Sequence, residues 1–187
     1  MTLFPEHTIV LSPVGEHDDG IFKPIIREVQ RIFGFPVEKI PLLPDLNFAL
    51  DPKRNQYYST VILEKLAELA PPQSVKVLAV ACVDLFIPIL TYVYGEAQLG
   101  GKTCIISTFR LNEEIALSEA DKTIRIRVVK EAIHELGHTF KLRHCPDPFC
   151  IMHYCRTIGD VDNKSDQLCR HCKILLDDER KRLANAL

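Results

Sequence analysis

Short apolar runs alternate along the chain with longer segments of helical periodicity. The apolar runs predict strands at residues 8–11, 35–40 and 75–83. The last run alternates poorly but is strongly apolar throughout, which is typical of a central strand buried on both faces. Apolar residues at helical spacing predict a helix over 21–33, with Pro24 in its first turn. A second helix is predicted from Ser59 or Thr60 to Leu69.

The second half of the chain predicts a hairpin and two further helices. Residues 91–94 and 104–108 flank a glycine-bearing loop, which predicts two antiparallel strands. Ser118 to Asp121 matches a capping box at the start of a third helix. Apolar residues recur every four positions in that helix: Ile124, Val128, Ala132, Leu136 and Phe140. Residues 141–168 lack periodicity, and a closing helix follows over 168–186.

Composition narrows the class of protein. The chain has 187 residues, of which 47% are hydrophobic, so one domain can bury a core. The net charge is −2 and no basic stripe is present, which argues against nucleic acid. Residues 1–6 have no basic region and no long apolar stretch, so we do not expect them to be a signal peptide, and charged residues interrupt the apolar segment 75–94. We therefore expect a cytoplasmic monomer with no membrane or nucleic-acid partner.

Residues 134–138 read His-Glu-Leu-Gly-His and lie in the last turns of the third predicted helix. Histidines four positions apart project from one face of a helix and can share a metal ion. Glu135 would lie near that ion without binding it, as the general base of a zinc hydrolase does. For this short motif alone, the alternative is two solvated histidines.

A third histidine, His144, strengthens the prediction of a metal site. If the chain turns back after Phe140, His144 approaches the ion held by His134 and His138. Three neutral imidazoles and one water make an open tetrahedral zinc site. Glu135 would then take a proton from the attacking water and pass it to the leaving nitrogen. This arrangement predicts a zinc hydrolase.

The continuation of the motif resembles the archaemetzincin family of metzincin-clan zinc metallopeptidases. The three histidines with a following Met152 are similar to the clan, and Cys145 directly after the third histidine is typical of the family. The family resemblance extends to Cys150 and to the pair Cys169-x-x-Cys172. It is close over residues 134–172.

The resemblance implies a mixed α/β metallopeptidase with two zinc ions, one catalytic and one structural. We expect a twisted, mostly parallel sheet with an antiparallel edge strand, an active-site helix, and a C-terminal helix with a four-cysteine zinc site. Residues 1–187 would form one catalytic domain with subdomains 1–140 and 141–187. Met152 would be an apolar floor under the zinc, and Tyr154 would bind the metal or steady the oxyanion. The alternatives are a core methionine and a packed aromatic ring.

The family further implies a peptide or protein substrate, with aminopeptidase-like cleavage in some members. We expect an extended peptide to add to the strand edge at 91–94, and Asp84 and Glu96 to attract a substrate amine. An ordinary hairpin and solvated carboxylates are the alternatives. For the whole chain, the alternative function is a non-catalytic, zinc-stabilised interaction module with a degraded active site.

One residue departs from the clan pattern. Metzincins have a glycine three residues after the second histidine, and this chain has Lys141. A left-handed conformation at a lysine costs about 1–2 kcal/mol. We expect His144 to bind zinc nevertheless.

The cysteines cluster where a second metal site would lie. Five of the seven fall within residues 145–172, and the odd total with no export signal argues against disulfides. Two short pairs, Cys145 with Cys150 and Cys169 with Cys172, suit a closed tetrahedral zinc. The alternatives are four buried free thiols, or His171 or Cys155 in place of one ligand. The remaining Cys82 and Cys104 are expected in the core.

Overall fold

The order of strands and helices largely follows the apolar pattern. A computed structural model describes residues 7–16, 18–115 and 120–185. The strands in these ranges are β1 (Thr8–Pro13), β2 (Val37–Lys39), β3 (Leu50–Asp51), β4 (Gln56–Tyr58), β5 (Ser74–Ala81), β6 (Leu85–Phe86), β7 (Gly95–Ala97) and β8 (Thr103–Ser107). The α-helices are α1 (Phe22–Phe33), α2 (Ser59–Leu69), α3 (Ala120–Thr139), α4 (Ile158–Asn163) and α5 (Arg170–Ala184).

The main sheet has five strands in the order β2-β1-β5-β8-β7. The first four run parallel, and β7 pairs antiparallel with β8 at the edge. This confirms the expected mixed α/β fold with an antiparallel edge strand. A second sheet, in the order β3-β4-β6, was not predicted, because its strands of two or three residues are too short to show a periodicity.

Helices cover both faces of the main sheet. Side chains alternate along β5, so that Leu78 and Val80 pack toward α1 and α3, whereas Val77 and Ala79 pack toward α2. Both faces are therefore buried, which explains why this strand reads as a continuous apolar run. The sheet positions α3 with its C-terminal turns beside the edge strand β7.

The predicted hairpin is displaced along the chain. Residues 91–94 form no strand; within them Val93 makes only an isolated bridge with Leu85. The strand is instead Gly95–Ala97, inside the predicted loop, because this segment pairs with β8 in spite of its low strand propensity.

The helices agree better with the sequence. Helices α1 and α2 match their predicted ranges, and α5 lies within the predicted closing helix. The capping residues Ser118 and Glu119 lie outside the described residues. The short helix α4 was missed, although Thr157 and Asp160 form a capping box at its start. No helix in the described ranges is long and apolar enough to cross a membrane. The subdomain boundary at residue 140 stays a prediction.

Candidate active site

Two histidines of α3 face each other one helical turn apart. The Nε2 atoms of His134 and His138 are 3.2 Å apart. Each ring donates its Nδ1 proton to a main-chain carbonyl, His134 to Ile151 at 2.9 Å and His138 to Leu142 at 2.7 Å. A carbonyl can only accept, so these bonds fix the tautomer that leaves both Nε2 lone pairs free for a metal.

The turn after α3 brings His144 to the same place. Lys141 adopts a left-handed conformation with φ 65°. The Lys141 N–H donates to the carbonyl of His138, and the Leu142 N–H donates to the carbonyl of Gly137, both at 3.0 Å. These two hydrogen bonds form a Schellman motif that ends α3. The strain expected at Lys141 is therefore present, and the chain reverses nevertheless. The three histidines offer ligand atoms that all lie within 4.8 Å of one another.

The charge state of the three rings suits a cation. Burial lowers the pKa of all three imidazoles, and the charge of the Lys164 ammonium lowers it further. The rings are therefore neutral at pH 7. Three converging neutral imidazoles are the donor set of catalytic zinc sites, so the residues present fit this metal.

Glu135 lies on α3 against the edge strand. A Cβ atom at Gly95 would come within 2.6 Å of Glu135 Cγ and 2.7 Å of the Ile105 carbonyl oxygen, so only glycine permits this close packing. Glu135 is 6% exposed. Burial raises its pKa well above the usual range, and the charges of Glu131 and Glu96 raise it further. A divalent cation beside the carboxylate acts in the opposite direction.

Met152 packs against α3 at Gly137. It is fully buried, and a Cβ atom at Gly137 would lie 2.5 Å from Met152 Sδ. The methionine therefore occupies the space between α3 and the chain that carries His144. Tyr154 is exposed, with its ring centroid 4.9 Å from that of His144, so its position is compatible with a role at the metal.

The four cysteines predicted to bind a structural metal also converge. Cys145, Cys150, Cys169 and Cys172 offer sulfur atoms within 4.8 Å of one another. The Cys169 N–H donates to Cys150 Sγ at 3.3 Å, and the Cys172 N–H to Cys169 Sγ at 3.5 Å. Four sulfur donors supported by main-chain amides fit a tetrahedral zinc.

Comparisons with known proteins identify the family of the chain. A profile of peptidase family M54 matches residues 45–178. The archaemetzincin of Methanocaldococcus jannaschii is 37% identical over 91% of this chain and 93% of its own. The chain belongs to the archaemetzincin family, peptidase family M54. This membership confirms the resemblance seen in the sequence. The chain is therefore a zinc-dependent metallopeptidase, which favours the enzyme over the non-catalytic module.

Solved archaemetzincins share the fold. The crystal structure of the Methanopyrus kandleri archaemetzincin is similar with a TM-score of 0.84 and 31% identity, covering 95% of this chain and 97% of that one. A zinc-dependent peptidase from Methanocorpusculum labreanum gives a TM-score of 0.79 and 30% identity, covering 90% of this chain and 99% of its own.

A cavity of about 610 Å³ opens beside the three histidines and Glu135. Its walls come from residues 90–97 on one side, α3 on another, and residues 154–156 on a third. Both Glu135 and the three histidines line it. The volume is within the range of small-ligand sites and leaves room for a few residues of a peptide.

Two charged residues beside this cavity were not predicted. Glu131, one turn before Glu135, pairs with Lys164 at 2.8 Å, and both side chains are almost completely buried. Burial alone would lower the pKa of Lys164, but Glu131 holds it above its usual value. Cys155 is half-buried at the cavity wall, and burial raises the pKa of its thiol to about 11. Sequence spacing carries no signal for a pair 33 residues apart.

The carboxylates expected to attract a substrate amine have structural partners. Asp84 accepts two hydrogen bonds from Arg110, at 2.7 and 2.9 Å. Glu96 accepts hydrogen bonds from the hydroxyl groups of Ser59 and Thr60. Asp84 is thus neutralised by an arginine, whereas Glu96 has neutral partners and lines the cavity.

Of the two leftover cysteines, Cys104 is in the core as expected, but Cys82 is exposed because it follows the end of β5.

Proposed function

We propose that the chain hydrolyses peptide bonds with Glu135 as general base and with a catalytic zinc held by His134, His138 and His144. A second, structural zinc is held by Cys145, Cys150, Cys169 and Cys172. The observation that carries the proposal is the convergence of three neutral imidazoles beside a buried carboxylate at the wall of one cavity.

The chain's own groups divide the work of hydrolysis. Zinc at the three histidines would supply Lewis acidity, which lowers the pKa of water and polarises a carbonyl. Glu135 accepts a proton from the attacking water and delivers it to the nitrogen of the departing amine. Its burial keeps bulk water from competing for that proton. The Tyr154 hydroxyl, beside His144, donates a hydrogen bond to the oxyanion as it forms.

The substrate binds along the free edge of β7. Glu96 pairs with Ile105 across the sheet, and residues alternate in direction along an antiparallel strand. The main-chain groups of Tyr94 and Gln98 bond to β8, so those of Gly95 and Ala97 face away from the sheet. An extended peptide can add there as a further strand, which brings its scissile bond past Glu135.

The peptidase is aminopeptidase-like. Among the glutamates that line the cavity, Glu131 is paired with Lys164 and Glu135 serves as the base. Glu96 has only neutral hydroxyl partners among the described residues, so its charge remains available for the ammonium of a free N-terminus. Cleavage of one peptide with a free and with an acetylated N-terminus tests this. A preference for the free end that disappears in E96Q is expected; equal cleavage of the two peptides would contradict it.

The Glu135→Gln variant tests the catalytic proposal. The amide keeps the size of the side chain but cannot accept the proton, so kcat should fall by about 10²- to 10⁴-fold. Two zinc ions should remain bound, measured by elemental analysis, since glutamate is not a ligand. Glu64→Gln, the same change at an exposed position of α2, is the matched control and should behave as wild type. Full activity in E135Q would overturn the proposal.

A further inference from the structure

The turn at Lys141 determines how the His138 ring is held. The His138 Nδ1 proton goes to the carbonyl of Leu142 at 2.7 Å. That carbonyl belongs to the residue directly after Lys141, so its direction depends on the left-handed conformation there. A change of the turn would therefore rotate or release the ring whose Nε2 atom faces His134.

The side chain of Lys141 leads away from the histidines to α5. Its ammonium pairs with Glu179 Oε1 at 2.8 Å. Its stem passes over Gly100, where a Cβ atom would come within 3.0 Å of Lys141 Cγ, and the Gly100 N–H donates to the His138 carbonyl at 2.9 Å. The lysine is thus held between a loop that is bonded to α3 and a carboxylate on another helix.

Glu179 is buried, which is unusual for an acidic residue on a surface helix. It is 7% exposed, and its second oxygen accepts from Arg182 at 3.0 Å. Burial lowers the pKa of Lys76, and the negative charge of Glu179 partly opposes that shift. The Lys76 ammonium donates to the Thr139 carbonyl at 2.7 Å. The Lys141 side chain is itself half exposed, but its partner is a buried carboxylate with both oxygens bonded, which gives the ammonium a fixed position to meet.

The helix that carries Glu179 is fixed at its other end by the cysteine cluster. Cys169 caps the N-terminus of α5 and Cys172 lies in its first turn. Glu179 follows Cys172 by two helical turns, a rise of about 10 Å. The four-cysteine site therefore sets the position from which Glu179 meets Lys141.

We propose that Glu179 is a positioning residue for the catalytic zinc site, acting through Lys141 and its turn on His138. The proposal rests on the proposed function, in which His138 is a ligand. A glycine in the metzincin pattern adopts this turn without strain and needs no anchor. In this chain the ion pair with Glu179 holds a lysine in the conformation that glycine would adopt freely.

A double-mutant comparison separates positioning from general stability. The full chain is prepared as wild type, E179Q, K141G and K141G/E179Q, with the cysteine site filled with zinc. Affinity of the three-histidine site for Zn²⁺ is measured by competition with a chelator, and its geometry by the visible spectrum of bound Co²⁺. Asp178→Asn is the matched control, because among the described residues Asp178 makes only an exposed pair with Lys181.

Mutation of a residue that hydrogen-bonds to a ligating histidine typically lowers metal affinity about 10- to 100-fold. Glu179 acts on His138 through Lys141, so its effect should be smaller. We expect E179Q to weaken Zn²⁺ binding about five- to tenfold and to shift the Co²⁺ spectrum. Between K141G and K141G/E179Q the difference should be less than about twofold, and D178N should match wild type. If E179Q does not fold, K141M, which keeps the stem without the ammonium, should show the same weakened affinity.

The outcomes are distinguishable. Unchanged affinity in E179Q or K141M, or an equal loss from E179Q in the wild-type and K141G backgrounds, would overturn the positioning role and leave the proposed function intact. A wild-type chain that binds zinc only at the cysteines would overturn both.

Discussion

Replacing Cys169 with serine should damage the catalytic site as well as the cysteine site. The Cys145 N–H donates to the Met152 carbonyl, and the Ile151 N–H to the Gln167 carbonyl, each at 2.9 Å. The Ile151 carbonyl in turn accepts the Nδ1 proton of His134 at 2.9 Å. The segment that orients His134 is thus held between the two cysteine pairs.

The magnitude follows from these contacts. Structural zinc contributes about 10–16 kcal/mol to the folding of small peptides, an upper bound here because α3 and the sheet have their own core. Loss of the carbonyl that orients a ligating histidine lowers metal affinity about 10- to 100-fold. We therefore expect C169S to lower Tm and to weaken zinc binding at the three histidines by about tenfold or more.

The assay compares zinc content, catalytic-site affinity, kcat/KM and Tm for C169S and wild type. Cys82→Ser is the matched control, since that thiol is exposed and outside both clusters. It should leave all four quantities unchanged. A C169S protein that has lost the structural zinc yet keeps full catalytic zinc occupancy and rate would refute the coupling between the two sites.

Three further predictions follow from other parts of the site. Y154F should lower kcat without releasing zinc; an unchanged kcat would dismiss an oxyanion role for Tyr154. H138A should lower Tm less than removal of both zinc ions by a strong chelator, because only the latter frees the four cysteines; equal shifts would contradict a structural role for them. Burial lowers the pKa of Lys76 from 10.5 to about 8, so between these values the unfolded chain holds a proton that the folded chain has lost. The contribution of Lys76 to the free energy of unfolding therefore rises with pH across that window, by up to ~1.4 kcal/mol per pH unit. In urea unfolding, the K76M variant should lack this rise. If wild type and K76M gave parallel profiles of stability against pH, the assignment would be refuted.

The sequence predicted those features whose cause is local. The central strands were predictable because burial on both faces demands a continuous apolar run, and α3 because its apolar residues recur with the helical period. The residues proposed as metal ligands could be singled out because histidines and cysteines at short spacing have few other uses in one segment, and the structure brings each set together. The three histidines converge because the chain turns at Lys141. The sequence indicated that this turn would be strained, and the structure forms it nevertheless.

The features that were missed depend on contacts distant in sequence. Lysine and glutamate usually lie at surfaces, so nothing in the sequence indicates that Lys164 and Glu131 are buried together. The same holds for Lys76, which caps the end of α3 from a strand 63 residues earlier. The edge strand β7 was misplaced because its position is set by pairing with β8 and by the space that Gly95 leaves for Glu135, not by its own propensity.

The linkage through α5 has a consequence for the newly synthesised polypeptide. The three histidines leave the ribosome before Cys169, Cys172 and Glu179 do, and a domain generally folds as a unit. A nascent chain that ends just before Cys169 has the imidazoles and the carbonyls of Leu142 and Ile151, but it lacks the second cysteine pair and the Glu179 carboxylate that support them. On the proposed coupling, peptide hydrolysis is therefore expected only after residue 179 has been synthesised.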